Sequence, residues 1–368
     1  MKISIEKNIL QDAVFNAQKA IAVKTTMPIL QGIYINARDN ELTVIGSDKD
    51  LTIETKIAAH IEEEGSMVID SKIFGDILRK LPNETLTIES MNENTINLTC
   101  LKSAVALIHM KGEDYPNLPK INDNNMFRIP QGLIKNMIKG TIFAIAQDES
   151  RPILTGVLFE VKDNKLNLVA LDGYRVALRS EYINTDENIK AVIPGKTLNE
   201  VSKILLDDET PTNITFTPNH ILFNLGNTRV ISRLLEGEFI KYESIIPKEY
   251  NLRLEVNRFD ILNAIERASL VGKEGNTNLV KLQIEDNTLI ITSNSQLGKS
   301  REEVQIKLEG ESLRIGFNSK YLIDVFKIMD EENVIMDLSS SISPCVIKNK
   351  ETDNCSYLLL PVRIMESR

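Results

Sequence analysis

Few side chains in this sequence could make or break a covalent bond. His60, His109 and His220 are the only histidines, and none stands at metal-ligand or nucleophile–base spacing from another polar cluster. Cys100, Cys345 and Cys355 are widely spaced with no CxxC, the pattern of reduced structural thiols rather than of a disulfide framework or a zinc site. QLGKS (296–300) imitates the end of a phosphate-binding loop. GxxxxGKS requires glycine at 293, however, where this chain has Ser293, and the stretch follows a hairpin strand without a helix signal. Asp172, in LDGYR, has no evident second carboxylate for acid–base work. The sequence therefore points away from catalysis, and no cofactor or metal is expected.

What recurs instead is charge. SKIFGDILRKL (71–81), GKTLNEVSKIL (195–205) and SKYLIDVFKIM (319–329) repeat one arrangement at intervals of 124 residues. Lys72, Lys196 and Lys320 correspond, as do Asp76, Glu200 and Asp324, and then Arg79, Lys203 and Lys327. Residues seven apart lie about 20° from each other around a helix, so each cation pair shares one face. Lys135 and Lys139, four apart, do likewise. The intervening acid sits on the same side and tempers the attraction. The chain carries −9 overall, yet the helical stretches 5–24, 71–81, 130–147, 195–205, 257–270 and 319–329 together carry +7, leaving −16 elsewhere. Total charge argues against a nucleic-acid partner, but the placement of the charge argues for one. Cations spaced on helices with few aromatics can hold phosphate loosely and read no sequence.

The elements that must position those helices also repeat. GIYINARDNELTVIGSD, GVLFEVKDNKLNLVALD and LVKLQIEDNTLIITSN alternate apolar and polar residues on both sides of an Asp-Asn pair, which predicts three β-hairpins with one buried face. Each follows a helical stretch, with Pro130 suited to a first helical position and Asn257 to Asp260 resembling a capping box. Two helices and several antiparallel strands per copy predict an α+β fold in three tandem domains, 1–120, 127–247 and 248–368. With 42% hydrophobic and 26% charged residues in 368, the chain reads as globular. It lacks a run long enough for a membrane span and an apolar leader, so the cytoplasm is expected.

Taken together, TTMPILQGIYI (25–35), SRPILTGVLFE (150–160), LVALDGYRVAL (168–178), LLEGEF (234–239) and YLLLPVRI (357–364) make the chain resemble the bacterial sliding clamp family, the β subunit of DNA polymerase III. The resemblance covers nearly the whole sequence. It implies a non-catalytic processivity factor, a head-to-tail homodimeric ring of six domains with sheets outside and twelve helices inside, encircling duplex DNA without reading its sequence. Twelve helices about 10 Å apart give a circumference of roughly 120 Å and an opening of about 28 Å once helix thickness is subtracted, wide enough for a duplex. Lys24, Lys72, Arg79, Lys135, Lys139, Lys196, Lys203, Lys320 and Lys327 would face the DNA, with Lys24 standing where the family often has arginine.

The resemblance further implies a groove that takes a short peptide from the replicative polymerase, the clamp loader and other partners. One side would use Leu154, Leu171, Gly173, Tyr174, Arg175 and Val176, with Ile240, Ser244 and Ile245 nearby. The other would use Ile342, Pro344, Leu360, Pro361, Val362, Arg363 and Ile364. Leu171, Ile240 and Ser244 depart from the threonine, proline and arginine the family often has there, and Met365 to Arg368 extend past its usual end. The dimer seam would set Leu270 and Val271 against Val105 and Leu107 of the other chain. The competing reading is an acidic repeat scaffold that binds proteins only, which has no reason to collect cations on matched helices.

Overall fold

The computed structural model describes residues 1–22, 24–119, 121, 126–272 and 278–364. The first repeat runs β1 (Lys2–Glu6), α1 (Lys7–Gln18), β2 (Gly32–Arg38), β3 (Glu41–Ser47), β4 (Leu51–Ala58), β5 (His60–Glu63), β6 (Gly65–Asp70), α2 (Ser71–Lys80), β7 (Thr85–Asn92), β8 (Thr95–Cys100) and β9 (Ser103–Lys111). The second runs β10 (Met126–Pro130), α3 (Gln131–Ile142), β11 (Gly156–Lys162), β12 (Lys165–Leu171), β13 (Arg175–Tyr182), β14 (Ile189–Pro194), α4 (Gly195–Ile204), β15 (Pro211–Phe216), β16 (His220–Asn224) and β17 (Thr228–Arg233). The third runs β18 (Leu252–Asn257), α5 (Arg258–Gly272), β19 (Leu279–Glu285), β20 (Thr288–Ser295), β21 (Gly298–Gly310), β22 (Leu313–Asn318), α6 (Ser319–Ile328), β23 (Asn333–Leu338), β24 (Cys345–Asn349) and β25 (Cys355–Leu359).

The three hairpins form where the Asp-Asn pairs stand. Asp39/Asn40, Asp163/Asn164 and Asp286/Asn287 take φ of 52/58°, 52/58° and 49/58°. Positive φ at both central residues of a two-residue loop matches the right-handed twist of the flanking strands, and Asp and Asn tolerate it best after glycine. The strand faces alternate as the sequence predicts: Ile33, Ile35 and Ala37 are buried while Tyr34 and Asn36 are half-exposed. Helix starts follow cap chemistry. The carboxylate of Asp70 accepts the Ile73 N–H at 2.9 Å, and Asn257 accepts from Phe259 and Asp260 at 3.0 and 3.2 Å. Pro130, predicted inside its helix, is instead the last residue of β10, and α3 starts at Gln131. QLGKS forms a turn, with Ser295 paired to Gly298, and then the long strand β21 rather than a helix.

One device escaped the sequence reading. The first residue of each leading helix is a buried polar side chain that ties off the end of the second helix. Lys7 donates to Asn83 at 2.6 Å, the side-chain Oε1 of Gln131 accepts the Leu206 N–H at 2.9 Å, and Arg258 donates to the carbonyls of Phe326 and Glu331 at 3.1 and 3.0 Å. Three different residue types share this task, so no residue identity marks it.

The chain divides into two compact units, one holding Met1–Leu133 with Glu200–Leu234, the other Ile134–Asn199 with the residues from Leu235 on. The first contains a 13-stranded sheet in the order β10-β15-β16-β17-β4-β3-β2-β6-β9-β8-β7-β1-β5. The second contains a 12-stranded sheet in the order β14-β11-β12-β13-β25-β24-β23-β18-β21-β20-β19-β22. The strands of the second repeat are thus shared between the units. In each, a repeat junction is an antiparallel strand ladder: β4 on β17, from Thr55–Thr228 to Leu51–Ser232, and β13 on β25, from Arg175–Leu359 to Arg179–Cys355. Below the first repeat's strands, Leu10, Val14 and Ala17 of α1 and Phe74 and Leu78 of α2 fill one core with Ile33, Ile35, Leu42 and Val44.

Candidate functional site

The cationic helix faces form as expected, with their charge partly answered. Lys72, Lys139 and Lys320 are exposed and make no ion pair among the described residues, whereas Lys135 and Lys196 each have an interaction partner. Arg79 pairs with Asp76 at 2.6 Å and Lys203 with Glu200 at 2.7 Å, the spacing that the repeat dictates. The third copy breaks this rule. Asp324 leaves its own helix and binds Arg175 at 2.7 Å, while Lys327 takes Glu266 of α5 at 2.7 Å. Lys24 lies in a bend beyond α1, which ends at Gln18, and is exposed.

Arg175 is the most heavily engaged cation of the second unit. Its guanidinium donates to Asp172 at 3.0 Å, to Asp324 at 2.7 Å and to the Phe143 carbonyl at 2.5 Å, and it lies 4.3 Å over the Tyr321 ring and 5.3 Å over Phe143. Only 8% of its side chain is exposed. The turn before it is fixed by Asp172, whose Oδ1 accepts the N–H groups of Tyr174 and Arg175 at 2.9 and 3.1 Å. Gly173, at φ +93°, supplies the backbone conformation that a side chain would resist. Tyr174 is thereby held outward, 62% exposed, and stacks on Tyr321 at 6.5 Å. Burial, then the Asp172 charge, pushes the Tyr321 phenol upward, so it stays neutral.

Around that turn the structure gathers the rest of the expected groove. Leu154, Leu171, Val176 and Leu358 form one buried apolar cluster with Phe239 and Tyr242 of the connector 235–246. The Leu360 N–H donates to the Tyr174 carbonyl at 2.9 Å, which brings the YLLLP segment beside GYRV. Cys345 pairs with Leu359, so Pro344 and the loop bearing Ile342, 76% exposed, lie at the same end. Leu360, Val362, Ile240 and Ile245 are exposed apolar residues, and Ser244 and Arg363 are exposed polar ones. The connector is pinned by the Tyr242 hydroxyl, which donates to Glu160 at 2.6 Å. Burial, then that carboxylate, holds the phenol well above its usual range. Val362 donates to the Gly316 carbonyl at 2.8 Å and Ile364 lies against Gly316, so the segment after half-buried Pro361 turns onto β22. Met365 to Arg368 lie outside the described residues.

A third feature, besides the end strands of the two sheets, is a pair of strands inside the sheet order whose edges are only partly covered among the described residues. β9 pairs with β8 from Ser103 to Ile108 but meets β6 only at 109–111. The His109 N–H donates to the Asn94 carbonyl at 2.9 Å, so by alternation the N–H groups of Ala104, Ala106 and Ile108 point to the open edge. β21 pairs with β20 over 298–305 and reaches β18 only from Ile306. In repeat order β9 is the counterpart of β17 and β25, and β21 of β4 and β13, the strands that make the two internal junctions. Val105 and Leu107 pack on their own repeat's core, and the apolar side chain that projects freely from β9 is Ile108, 80% exposed.

The helices agree. Aligned on buried Leu10, Ile134 and Ile261, Lys19, Phe143 and Leu270 are equivalent. Lys19 sits beside Glu200 and Lys203, and Phe143 holds Arg175, whereas Leu270 is 66% exposed next to half-buried Val271. No sequence signal marked Ile108, Asp172, Tyr321 or Asp324 for these roles.

Cys100, Cys345 and Cys355 are free and buried, and burial pushes the Cys355 thiol up to about 11, which leaves it unreactive. Among the described residues no group of His, Cys, Asp and Glu could hold a metal ion, and no helix is long and apolar enough to cross a membrane.

Comparison with known proteins accords with this geometry. Residues 1–119, 128–241 and 243–363 match the N-terminal, central and C-terminal domains of the DNA polymerase III beta subunit. The beta sliding clamp of Bacillus subtilis strain 168 is 37% identical, covering 99% of this chain and 100% of the relative. That of Staphylococcus epidermidis is 34% identical, covering 99% of each. The crystal structure of a DNA polymerase sliding clamp from Bacillus subtilis superposes with a TM-score of 0.96 at 36% identity, covering 99% of this chain and 100% of that one. A putative DNA polymerase III beta subunit from Eubacterium rectale gives 0.95 at 36% identity, with the same coverage.

Proposed function

The chain belongs to the DNA polymerase III beta subunit family of sliding clamps, and on that premise we propose that two copies close head to tail into a ring of six domains, 1–120, 127–247 and 248–368 from each. The ring encircles duplex DNA and acts as a non-catalytic processivity subunit. Lys24, Lys72, Arg79, Lys135, Lys139, Lys196, Lys203, Lys320 and Lys327 face the duplex. Phosphate contacts from such scattered cations are few, mobile and salt-sensitive, as sliding requires. The apolar groove around Leu154, Tyr174, Ile342 and Leu360 takes a short peptide from the replicative polymerase, the clamp loader or other partners.

The observation that carries this reading is the pair of open strand edges. The chain joins its repeats twice by the same strand-on-strand ladder and leaves one half of that joint unused on β9 and the other half on β21. An open apolar edge such as that of β9 is a liability unless a partner covers it, and a second copy carries the complement, the charged open stretch of β21. At this seam Leu270 and Val271 of one copy meet Val105 and Leu107 of the other, with exposed Ile108 beside them. A scaffold binding proteins alone leaves the exposed, unpaired Lys72, Lys139 and Lys320 without a purpose.

Sedimentation tests the seam. The wild type is expected at twice the mass of the 41.5 kDa chain. Ala106→Pro removes an N–H from the open edge without touching the β8 ladder, and Leu270→Glu places a charge in the joint; either should give folded single chains. A wild type that sediments as one chain at micromolar concentration contradicts the ring, and dimers of both variants contradict this seam.

A further inference from the structure

The carboxylate of Asp324 is equivalent by sequence to Asp76 and Glu200, which pair with the cation three residues on along their own helices. It departs from them, reaching from α6 to Arg175, 149 residues away, at 2.7 Å. The geometry points to Asp324 as a positioning residue for the peptide groove, although it sits on one of the cation-bearing helices. This rests on the reading of the groove as a peptide site.

The chain of contacts is short. Asp324 and Asp172 hold Arg175 from two sides, and the Phe143 carbonyl accepts from its far nitrogen. The guanidinium so fixed is the platform on which the Tyr321 ring lies, and Tyr321 stacks on Tyr174. Tyr174 in turn gives its carbonyl to Leu360, so two of the exposed apolar residues around the groove are tied to one buried cation. Arg175 presents five planar N–H donors, three of them bonded in these contacts, and weakening one of those bonds loosens the platform under the ring. A groove that must first be ordered binds its peptide more weakly than a preformed one. Lys327, released from the acid that its counterparts keep, turns to Glu266 and leaves the Asp324–Arg175 pair undisturbed.

The repeat supplies its own controls. A fluorescent decapeptide with adjacent large aliphatic and aromatic side chains, matched to the apolar lining, is titrated against the full-length dimer. The wild type, Asp324→Asn, Asp324→Glu, Asp76→Asn and Glu200→Gln are compared, with hydrogen exchange read at the Leu360 amide. Asp324→Asn is expected to weaken peptide binding about tenfold and to speed exchange at Leu360, since the carboxylate's charge is lost and the amide oxygen accepts from the guanidinium more weakly. Asp324→Glu should recover most of the affinity, and Asp76→Asn and Glu200→Gln should bind as the wild type does. Arg175 keeps Asp172 in every variant, so the fold is retained. Wild-type affinity in Asp324→Asn, or equal weakening in all three amide variants, overturns the assignment while leaving the groove in place. A wild type that ignores the peptide overturns the groove reading itself.

Discussion

The junction of β4 with β17 and the junction of β13 with β25 are built on the same five-residue antiparallel register, and they differ in the side chains around it. The first is closed by small polar groups: Thr55 and Thr228 share a buried hydroxyl pair at 3.0 Å, and Arg233 meets Asp50 at the exposed rim at 3.9 Å. The second replaces these with a buried guanidinium, two carboxylates and an apolar cluster that continues into exposed Tyr174 and Leu360. The backbone ladder makes the joint in both places. Side chains decide whether the joint is sealed or leaves apolar residues exposed beside it.

The largest expected difference between the junctions is at their arginines. Arg175→Met leaves the half-buried carboxylates of Asp172 and Asp324 without their cation, and urea unfolding should show a loss of about 3 kcal/mol. Arg233→Met at the first junction should cost less than about 1 kcal/mol, because that pair is exposed to solvent. Equal losses would erase the distinction between a structural ladder and a charged hub.

Tyr242→Phe comes next. It removes the hydrogen bond to Glu160 that pins the connector and should lower stability by about 1.5–3 kcal/mol in the same assay. At the sealed junction Thr55→Val takes one partner from the Thr228 hydroxyl, which still donates to Asn227 at 3.2 Å, and should cost less than about 1 kcal/mol, whereas Thr228→Val strands the buried Thr55 hydroxyl and should cost about 1–2 kcal/mol. Equal losses in the two variants would mean that the Thr55 hydroxyl is held by something other than Thr228.

The smallest effect concerns Lys19, the counterpart of Phe143 and Leu270. Burial, which outweighs the attraction of Glu200, pushes its ammonium below the ordinary 10.5. A base with a lowered folded value costs stability while it is charged, and that cost fades as pH rises through the folded value. Lys19→Met should therefore stabilise the chain slightly at pH 7, by less than about 1 kcal/mol. The advantage should narrow as pH approaches 10.5. An advantage that grows with pH would contradict the assigned cause.

The parts of this molecule that were legible from sequence are those fixed by local chemistry. Period-two alternation about Asp-Asn specified the hairpins because both turn residues must adopt positive φ. Seven-residue spacing specified the cation faces. The junctions were not legible, because a strand edge shows the same alternation whether or not a neighbour covers it, and so the sharing of the second repeat between two sheets had no signal. Lys7, Gln131 and Arg258 were missed because position, and not residue type, defines their role. Asp324 has the spacing of Asp76 and Glu200, so the sequence alone assigns it to the cation of its own helix. Its real partner is distant in sequence, and only the packing of Arg175 against Tyr321 reveals the exchange.

Topological retention on DNA tests the central claim most directly. Labelled protein is incubated with free-ended linear duplex, both ends are then blocked with bulky groups, and the molecules kept through a high-salt wash are counted against duplex blocked before the protein is added. A ring that slides should be retained only on DNA blocked afterwards and should be lost when one end is cut free. Equal binding to both substrates, abolished by salt, would mean adhesion through surface cations and would contradict the encircling ring.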